Sequence, residues 1–353
     1  MSDRIAIVSI SDQLGGAEQV LFQFAEYYAT HGNNNITIII WGAKTNDFWQ
    51  SISETINVVY CNKNAFTFLR AICNAAFDKV YSSHLMVNAG LGFLRTLKLL
   101  RTKKLIVRES TSVFGRYTGK KLFGYKLAYK LGYRNIDLVI CQTDLMKRVL
   151  LEHCHYLSGR TQVHVIPNPF KYPGNVSQNT PIGSNEKFIV TAGRLIPEKG
   201  VDVLIHAFKD VLSFSPNLKL FILGEGEQRA FLEKLIADLS LVDQVKLLGH
   251  QNNVYPYFKN AQVCVVSSRR EGFPNVLLQM MSQNNKVVST LCAGGIQEIP
   301  GVEKCKPDDA NALSNAIIKS LTDDTTTNRA MFEKELNSRG IEEFMRKIHG
   351  FLS

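Results

Sequence analysis

The first half of the chain alternates short aliphatic and β-branched runs with stretches of helical period. Strand-like runs fall at Ile5–Ile10, Ile36–Trp41, Val58–Tyr60, Lys79–Ser82, Lys104–Val107 and Leu138–Cys141. Between them the spacing predicts helices over Ala17–Thr30, Phe66–Phe77, Leu85–Leu100 and Lys120–Tyr133. In the first of these, Val20, Leu21, Phe24 and Tyr28 share one face, as a 3.6-residue period requires. Strands that stay apolar without alternation, with helices between them, imply a parallel sheet covered on both faces.

A polar stretch from Lys171 to Glu186 follows Pro167-Asn168-Pro169 and reads as a linker. The alternation then restarts, with strands at Phe188–Ala192, Leu218–Leu223, Val245–Leu248, Val263–Val266 and Val287–Ser289. Helices are expected near Gly200–Ser213, Gln228–Ser240 and Asn275–Gln283, with a helical tail from Asp308 to Leu352. At 353 residues the chain suits two cores better than one. The pattern predicts an α/β protein of two Rossmann-like domains facing a ligand-holding cleft, residues 1–168 and 187–335, joined by a linker at 169–186.

Composition narrows the picture. Apolar residues make up 45% and charged residues 20%, a folded balance. No apolar run approaches the ~20 residues of a spanning helix. Met1-Ser2-Asp3-Arg4 leads straight into a strand-like run, so no cleavable signal is expected. The seven cysteines are scattered and form no C-x-x-C, which fits buried thiols in a reducing cytoplasm. His153 and His155 sit two apart at a predicted helix end, hence on different faces, and no metal site is expected. The net charge of +10 is local: residues 95–134 carry twelve Lys or Arg against one acid, Glu109.

The densest chemistry lies in Ser267-Ser268-Arg269-Arg270-Glu271-Gly272-Phe273-Pro274-Asn275-Val276-Leu277-Leu278-Gln279. A strand ends at Val266, a turn carries Glu271, and Asn275 falls where a helix N-cap is expected. The N–H groups of a helix start can hold a phosphate, and a nearby carboxylate can bond sugar hydroxyls. Alone, this pattern also describes an ordinary βα loop. After the Phe188–Ala192 strand, however, Gly193-Arg194-Leu195-Ile196-Pro197-Glu198-Lys199-Gly200 places two cations on one loop, able to clamp a diphosphate. Gly224-Glu225-Gly226 lacks the third glycine of a dinucleotide fingerprint and carries acids where phosphate would approach, which argues against a nicotinamide site.

The order Gly193-Arg194…Lys199-Gly200, Gly224-Glu225-Gly226…Arg229, Leu248-Gly249, Glu271-Gly272-Phe273-Pro274 and Gly294-Gly295…Glu298 resembles the family-4 retaining glycosyltransferases of GT-B architecture, of the bacterial surface-glycan type. Gly15-Gly16-Ala17-Glu18 and Pro167-Asn168 agree in the first half. The resemblance implies a metal-independent hexosyltransferase without a cofactor, its first domain serving the acceptor and its second the nucleotide sugar. The C-terminal helix, 336–353, is then expected to cross back to the first domain. Arg194 and Lys199 would stabilise the leaving diphosphate and Glu271 would bond hydroxyls of the sugar. Gly193, Glu225, Arg229 and the stretch Phe273, Pro274, Asn275, Val276 and Leu277 would contact the donor, with Gly15 and Gly16 against its diphosphate. His84 resembles a catalytic histidine near the sugar, though a structural loop histidine is the other reading. Arg108 and Glu109 are candidates for acceptor or sugar contacts. One departure stands out: the family's ribose-binding carboxylate is here Gln279.

The implied donor is a nucleotide-diphosphate sugar, by default UDP-linked, carrying a hexose or N-acetylhexosamine. The acceptor is a lipid-linked glycan, polyprenyl-diphosphate-linked, in surface polysaccharide or glycan synthesis. Lys interleaved with Tyr, Phe and Leu in 95–134 fits an anionic membrane surface, which places the protein in the cytoplasm at the inner face of the membrane. No nucleic acid partner is expected. Alternative readings are a sugar-nucleotide epimerase on a similar fold and a non-catalytic, membrane-bound carbohydrate-binding scaffold.

Overall fold

The computed structural model of the chain describes residues 3–13, 15–32, 35–53, 56–159, 161–174 and 186–353. Most of the linker expected at 169–186 lies outside them. The chain folds into two compact units, Met1–Pro169 with Arg339–Ser353, and Phe170–Ser338.

The first unit runs β1 (Ile5–Ser9), α1 (Gly16–Thr30), β2 (Ile36–Ile40), β3 (Asn57–Tyr60), α2 (Ala65–Cys73), β4 (Ala76–Ser82), α3 (Leu85–Thr96), β5 (Arg101–Arg108), α4 (Gly119–Gly132), β6 (Leu138–Cys141), α5 (Asp144–His153) and β7 (Gln162–Val165). Its described strands form one parallel sheet, ordered β3-β2-β1-β4-β5-β6-β7. Ile5, Ala6, Ile7 and Val8 are all buried, because helices cover both faces. One face packs against α2 to α5 and the other against α1.

The second unit runs β8 (Phe188–Ala192), α6 (Val201–Phe214), β9 (Lys219–Leu223), α7 (Arg229–Asp238), β10 (Val245–Gly249), α8 (Tyr255–Asn260), β11 (Val263–Val266), α9 (Asn275–Gln283), β12 (Val287–Thr290), β13 (Glu303–Cys305), α10 (Ala310–Thr322) and α11 (Asn328–Asn337). Its parallel sheet is ordered β10-β9-β8-β11-β12-β13, with α6, α7 and α10 on one face and α8, α9 and α11 on the other. The last helix, α12 (Ile341–Leu352), belongs to the first unit. Its Phe344 ring lies 5.4 Å from Phe24 of α1, and Met345 and Ile348 are buried beside it. Each such side chain contributes roughly 1.5–3 kcal/mol.

Two predicted helices end early, and one is divided. The stretch expected at Phe66–Phe77 breaks at Cys73, and Phe77 is a buried strand residue of β4. A buried strand and a buried helix face carry the same apolar residues over so short a span. The helix expected to reach Leu100 stops at Thr96, where Lys98 adopts a left-handed φ of 61° and turns the chain into β5. The C-terminal tail is three helices, α10 to α12. Strand β7 is an addition to the sequence reading, as are β13 and α8, which at three and six residues are too short for periodicity to reveal.

Both sheets reverse their winding at one place. In the first, β1 lies beside β4; in the second, β8 lies beside β11. Loops leaving the carboxyl ends of such neighbours run to opposite faces and open a crevice between them. The loop after β1 is fixed by Asp12, whose carboxylate accepts from the Thr45 hydroxyl at 2.6 Å and the Asn46 amide at 3.0 Å. Burial pushes that carboxyl up, but the Thr45 and Asn46 hydrogen bonds outweigh it and the net shift is downward. A carboxyl lowered in the folded state stabilises above its unfolded value, about 3.9, and loses that contribution as pH falls through the folded one. Asp12→Asn should therefore lower stability at neutral pH, with a deficit that shrinks below about pH 4. Denaturant titrations of both proteins across pH 2–7 measure it; a deficit independent of pH would remove the charge from the explanation.

Candidate functional site

At the second unit's crevice, the loop after β8 carries Arg194 and Lys199, and the loop after β11 carries Ser268 and Glu271. Lys199 Nζ lies 2.5 Å from Glu271 Oε1, and the Ser268 hydroxyl donates to the same oxygen at 2.9 Å. Thr290 at the end of β12 donates to the Ser268 carbonyl at 2.6 Å, holding the turn. The Lys199 and Glu271 side chains are about a fifth exposed, so the pair is reachable from solvent. Arg194 is exposed on the same loop. Cys292 lies beside Glu271, and burial first, then that charge, pushes its thiol up to about 12.

Close backbone contacts hold these loops together. Gly200 has φ 59°, and a Cβ there would lie 2.3 Å from the Ser267 carbonyl. A Cβ at Gly224 would lie 1.9 Å from the Gly193 carbonyl. The glycines of these motifs thus let neighbouring loops touch. Glu225 and Arg229 pair at 2.6 Å, and Arg229 also meets Glu233 at 2.9 Å.

The helix start differs from expectation. Pro274 is the N-cap of α9 and Asn275 its first helical residue, with no side-chain cap. The Leu277 N–H donates to the Pro274 carbonyl at 3.0 Å, so that donor is already engaged. Phe273, Pro274 and Leu277 are buried, while Val276 is partly exposed. Burial weakens the acidity of the Tyr255 hydroxyl, and Gln279 acts in the opposite direction.

In the first unit, Gly15 and Gly16 open α1 beside β1, and His84 caps α3 after β4. Glu18 Oε1 lies 3.2 Å from His84 Nε2. Arg108 and Glu109, the candidates for acceptor or sugar contacts, lie inside the first unit. Both are about 2% exposed. Glu109 accepts from the Tyr129 hydroxyl at 2.6 Å and from that of Tyr133, and Arg108 donates to Ser83 at 2.9 Å and to Asn168. Burial pushes the Glu109 carboxyl up and the Arg108 guanidinium down to about 10. The Glu109 carboxylate is thus engaged inside the core, whereas Arg108 Nε is buried with no hydrogen-bond partner among the described residues.

The basic segment divides in two. Arg95 pairs with Asp137, Lys103 with Asp78 at 2.8 Å, Lys104 with the Leu352 carbonyl at 3.0 Å, and Arg108 is buried. On α4, Lys120, Lys121, Lys126 and Lys130 are exposed around an apolar stripe of Phe123, Leu127 and Leu131, with Phe123 70% exposed. Helix α3 packs against α4, where a Cβ at Gly92 would lie 1.8 Å from the Gly132 carbonyl. It exposes its own stripe of Met86, Phe93 and Leu97. Among the described residues, no helix is long and apolar enough to cross a membrane.

Comparison with known proteins adds to this geometry. Residues 175–337 match the family Glycosyl transferases group 1. The chain is 36% identical over 181 residues to an uncharacterized glycosyltransferase of Methanocaldococcus jannaschii, covering 49% of this chain and 44% of that protein. It is 28% identical over 236 residues to the lipopolysaccharide core biosynthesis glycosyltransferase LpsE of Rhizobium meliloti, covering 61% and 65%. It is 34% identical over 147 residues to the N-acetylgalactosamine-N,N'-diacetylbacillosaminyl-diphospho-undecaprenol 4-alpha-N-acetylgalactosaminyltransferase of Campylobacter jejuni, covering 40% of each. The chain thus spans less than two thirds of the length of these relatives. The structure of Anabaena HepE in complex with UDP-glucose superimposes with a TM-score of 0.79 at 20% identity, covering 99% of this chain and 98% of that one. The fold is GT-B. The family match covers most of the second unit and a little under half of the chain.

Two neighbours of the candidate residues escaped the sequence reading: Ser268 and Glu18. Ser268 and Glu18 lie inside quoted motifs, but only the fold reveals what they touch. The Lys199–Glu271 pair makes a specific expectation. Removing the carboxylate frees the ammonium for an incoming anion, and charge-assisted bonds to phosphate are strong. Glu271→Ala should bind inorganic pyrophosphate roughly threefold to tenfold more tightly by calorimetry. Unchanged affinity would mean that Lys199 does not face the anion.

Proposed function

We propose that this chain is a retaining, metal-independent glycosyltransferase that moves a hexose or N-acetylhexosamine from a UDP-linked donor to a polyprenyl-diphosphate-linked glycan. The observation that carries the reading is the Lys199–Glu271–Ser268 cluster beside Arg194 at the second unit's crevice. When a donor arrives, its diphosphate takes Lys199 from Glu271 and is held by Arg194 as well. The released carboxylate then bonds hydroxyls of the sugar. As the bond from the anomeric carbon to the phosphate oxygen breaks, negative charge grows where the two cations lie. Preorganised charge of this kind is the usual main source of rate. The leaving phosphate accepts the proton of the acceptor hydroxyl, which attacks from the same face, so configuration is retained. Gln279 gives the ribose a neutral partner in place of a carboxylate. HepE complexes with UDP and UDP-glucose, and the names of the Rhizobium and Campylobacter relatives, support the donor and acceptor classes.

The assay is transfer from a panel of UDP-sugars to a polyprenyl-diphosphate glycan, with the product anomer read by NMR. Arg194→Ala and Lys199→Ala should each lower kcat by ~10²–10³, about 3–4 kcal/mol. Full activity in both would sink the assignment. Rapid isomerisation of donor alone would favour an epimerase instead, and an inverted product would overturn retention.

An acceptor with a lipid calls for a membrane face, and the exposed apolar residues of α3 and α4, with the lysines of α4, support that reading. Each basic residue near an anionic surface contributes about 1 kcal/mol. Wild-type protein should sediment with vesicles containing phosphatidylglycerol and be released as salt rises. Replacing Lys120, Lys121 and Lys126 together with Gln should weaken sedimentation while sparing transfer to a short soluble acceptor. Undiminished sedimentation of the triple variant would remove α4 from the membrane face.

A further inference from the structure

The turn bearing Lys199 is held, carbonyl by carbonyl, against the loop after β11. The Arg269 backbone N–H donates to the Glu198 carbonyl at 2.8 Å, and its guanidinium donates to the Pro197 carbonyl at 2.7 Å. The Ser267 hydroxyl donates to the Lys199 carbonyl at 2.9 Å. The same guanidinium takes both carboxylate oxygens of Asp202, in the first turn of α6, at 2.8 and 2.6 Å. It also meets Asp308, between β13 and α10, at 2.7 Å. Four of the five N–H donors of the fork are thereby spent on the protein, and two carboxylates offset its charge. A cation so engaged is poorly placed to meet a diphosphate itself. Burial pushes the Asp202 carboxyl up, but the Arg269 hydrogen bond and charge outweigh it and the net shift is downward.

We propose that Arg269 is a positioning residue, which sets Lys199 for the donor's diphosphate by locking the loop after β8 onto the loop after β11. This rests on the glycosyltransferase reading above. Lys199 ends a single turn, Pro197–Lys199, which has little structure of its own to resist drift. Its ammonium must leave Glu271 for an incoming phosphate without the backbone following. Arg269 and Glu271 share one loop, so the fork also fixes the separation of the two partners. A displacement of about 1 Å at such a group can cost ~100-fold in rate. Lysine at this position would keep the charge but lack the planar fork that joins Asp202, Asp308 and Pro197 at once.

The experiment places Arg269→Ala, Arg269→Lys and Lys199→Ala in two assays. One is transfer from the UDP-sugar that serves the wild type best, and the other is inorganic pyrophosphate binding by calorimetry. Arg269→Ala should lower kcat by ~10–100-fold and weaken pyrophosphate binding roughly threefold to tenfold. Because Arg269 acts through Lys199, the variant carrying both Lys199→Ala and Arg269→Ala should be no worse than Lys199→Ala in either assay. Arg269→Lys should stay severalfold below the wild type in both, which separates the fork from its charge. Losses that multiply in the double variant would make Arg269 independent of Lys199 and overturn the proposal, as would wild-type behaviour of Arg269→Lys. Should Arg269→Ala fail to fold, Arg269→Lys takes its place in both assays and in the double variant. Absence of transfer by the wild type would remove the underlying function, and the pyrophosphate comparison then decides the role of Arg269 alone, with unchanged affinity overturning it.

Discussion

A parallel sheet wrapped on both faces must reverse its winding somewhere, and the loops on either side of the reversal cannot cover the gap between them. Each unit of this chain has one such gap, and in each an acid from one loop meets a base from the other. Glu18 and His84 occupy the first, Lys199 and Glu271 the second. Topology alone does not choose these residues. It does decide where polar side chains can gather without being sealed into the core. The close approach of Gly224 to Gly193 and of Gly200 to Ser267 then fixes the second unit's loops tightly enough to hold a geometry.

Charge is sorted just as firmly. The twelve cations of residues 95–134 look uniform in sequence, yet the fold gives them different tasks. Several on β5 and its approaches are paired or buried, and Arg108 with Glu109 ties Ser83, Asn168, Tyr129 and Tyr133 into one internal network. A buried network of this kind is expensive to leave incomplete and so holds strand ends and helices in one arrangement. The lysines of α4 are exposed beside Phe123 and Leu127, with Lys121 over the Tyr117 ring.

The layered architecture was legible because continuous apolar strands recur between helical stretches, and Val20, Leu21, Phe24 and Tyr28 do face the core. The motif around Glu271 was legible as chemistry because strand, turn and helix follow in order. Pairings were not. Nothing in the spacing of Glu18 and His84 says that they meet, since the contact depends on β1 lying beside β4. Arg108 and Glu109 stood at a strand end, where ligand contacts are common, but Tyr129 and Tyr133 arrive from α4 and its last turn to consume the acid. Asn275 resembled an N-cap by residue type, yet the preceding proline already sets the extended backbone that a cap position requires.

The return of α12 to the first unit has a consequence for synthesis. The face of α1 bearing Phe24 and Tyr28 is covered by Phe344, Met345 and Ile348, which leave the ribosome only after the whole second unit. The nascent first unit therefore waits with an oily groove uncovered while the other unit emerges and folds, a window in which chaperones or wrong neighbours can reach it. Its core is completed by a segment made after the second unit, so a chain cut short before Ile341 leaves that seam open.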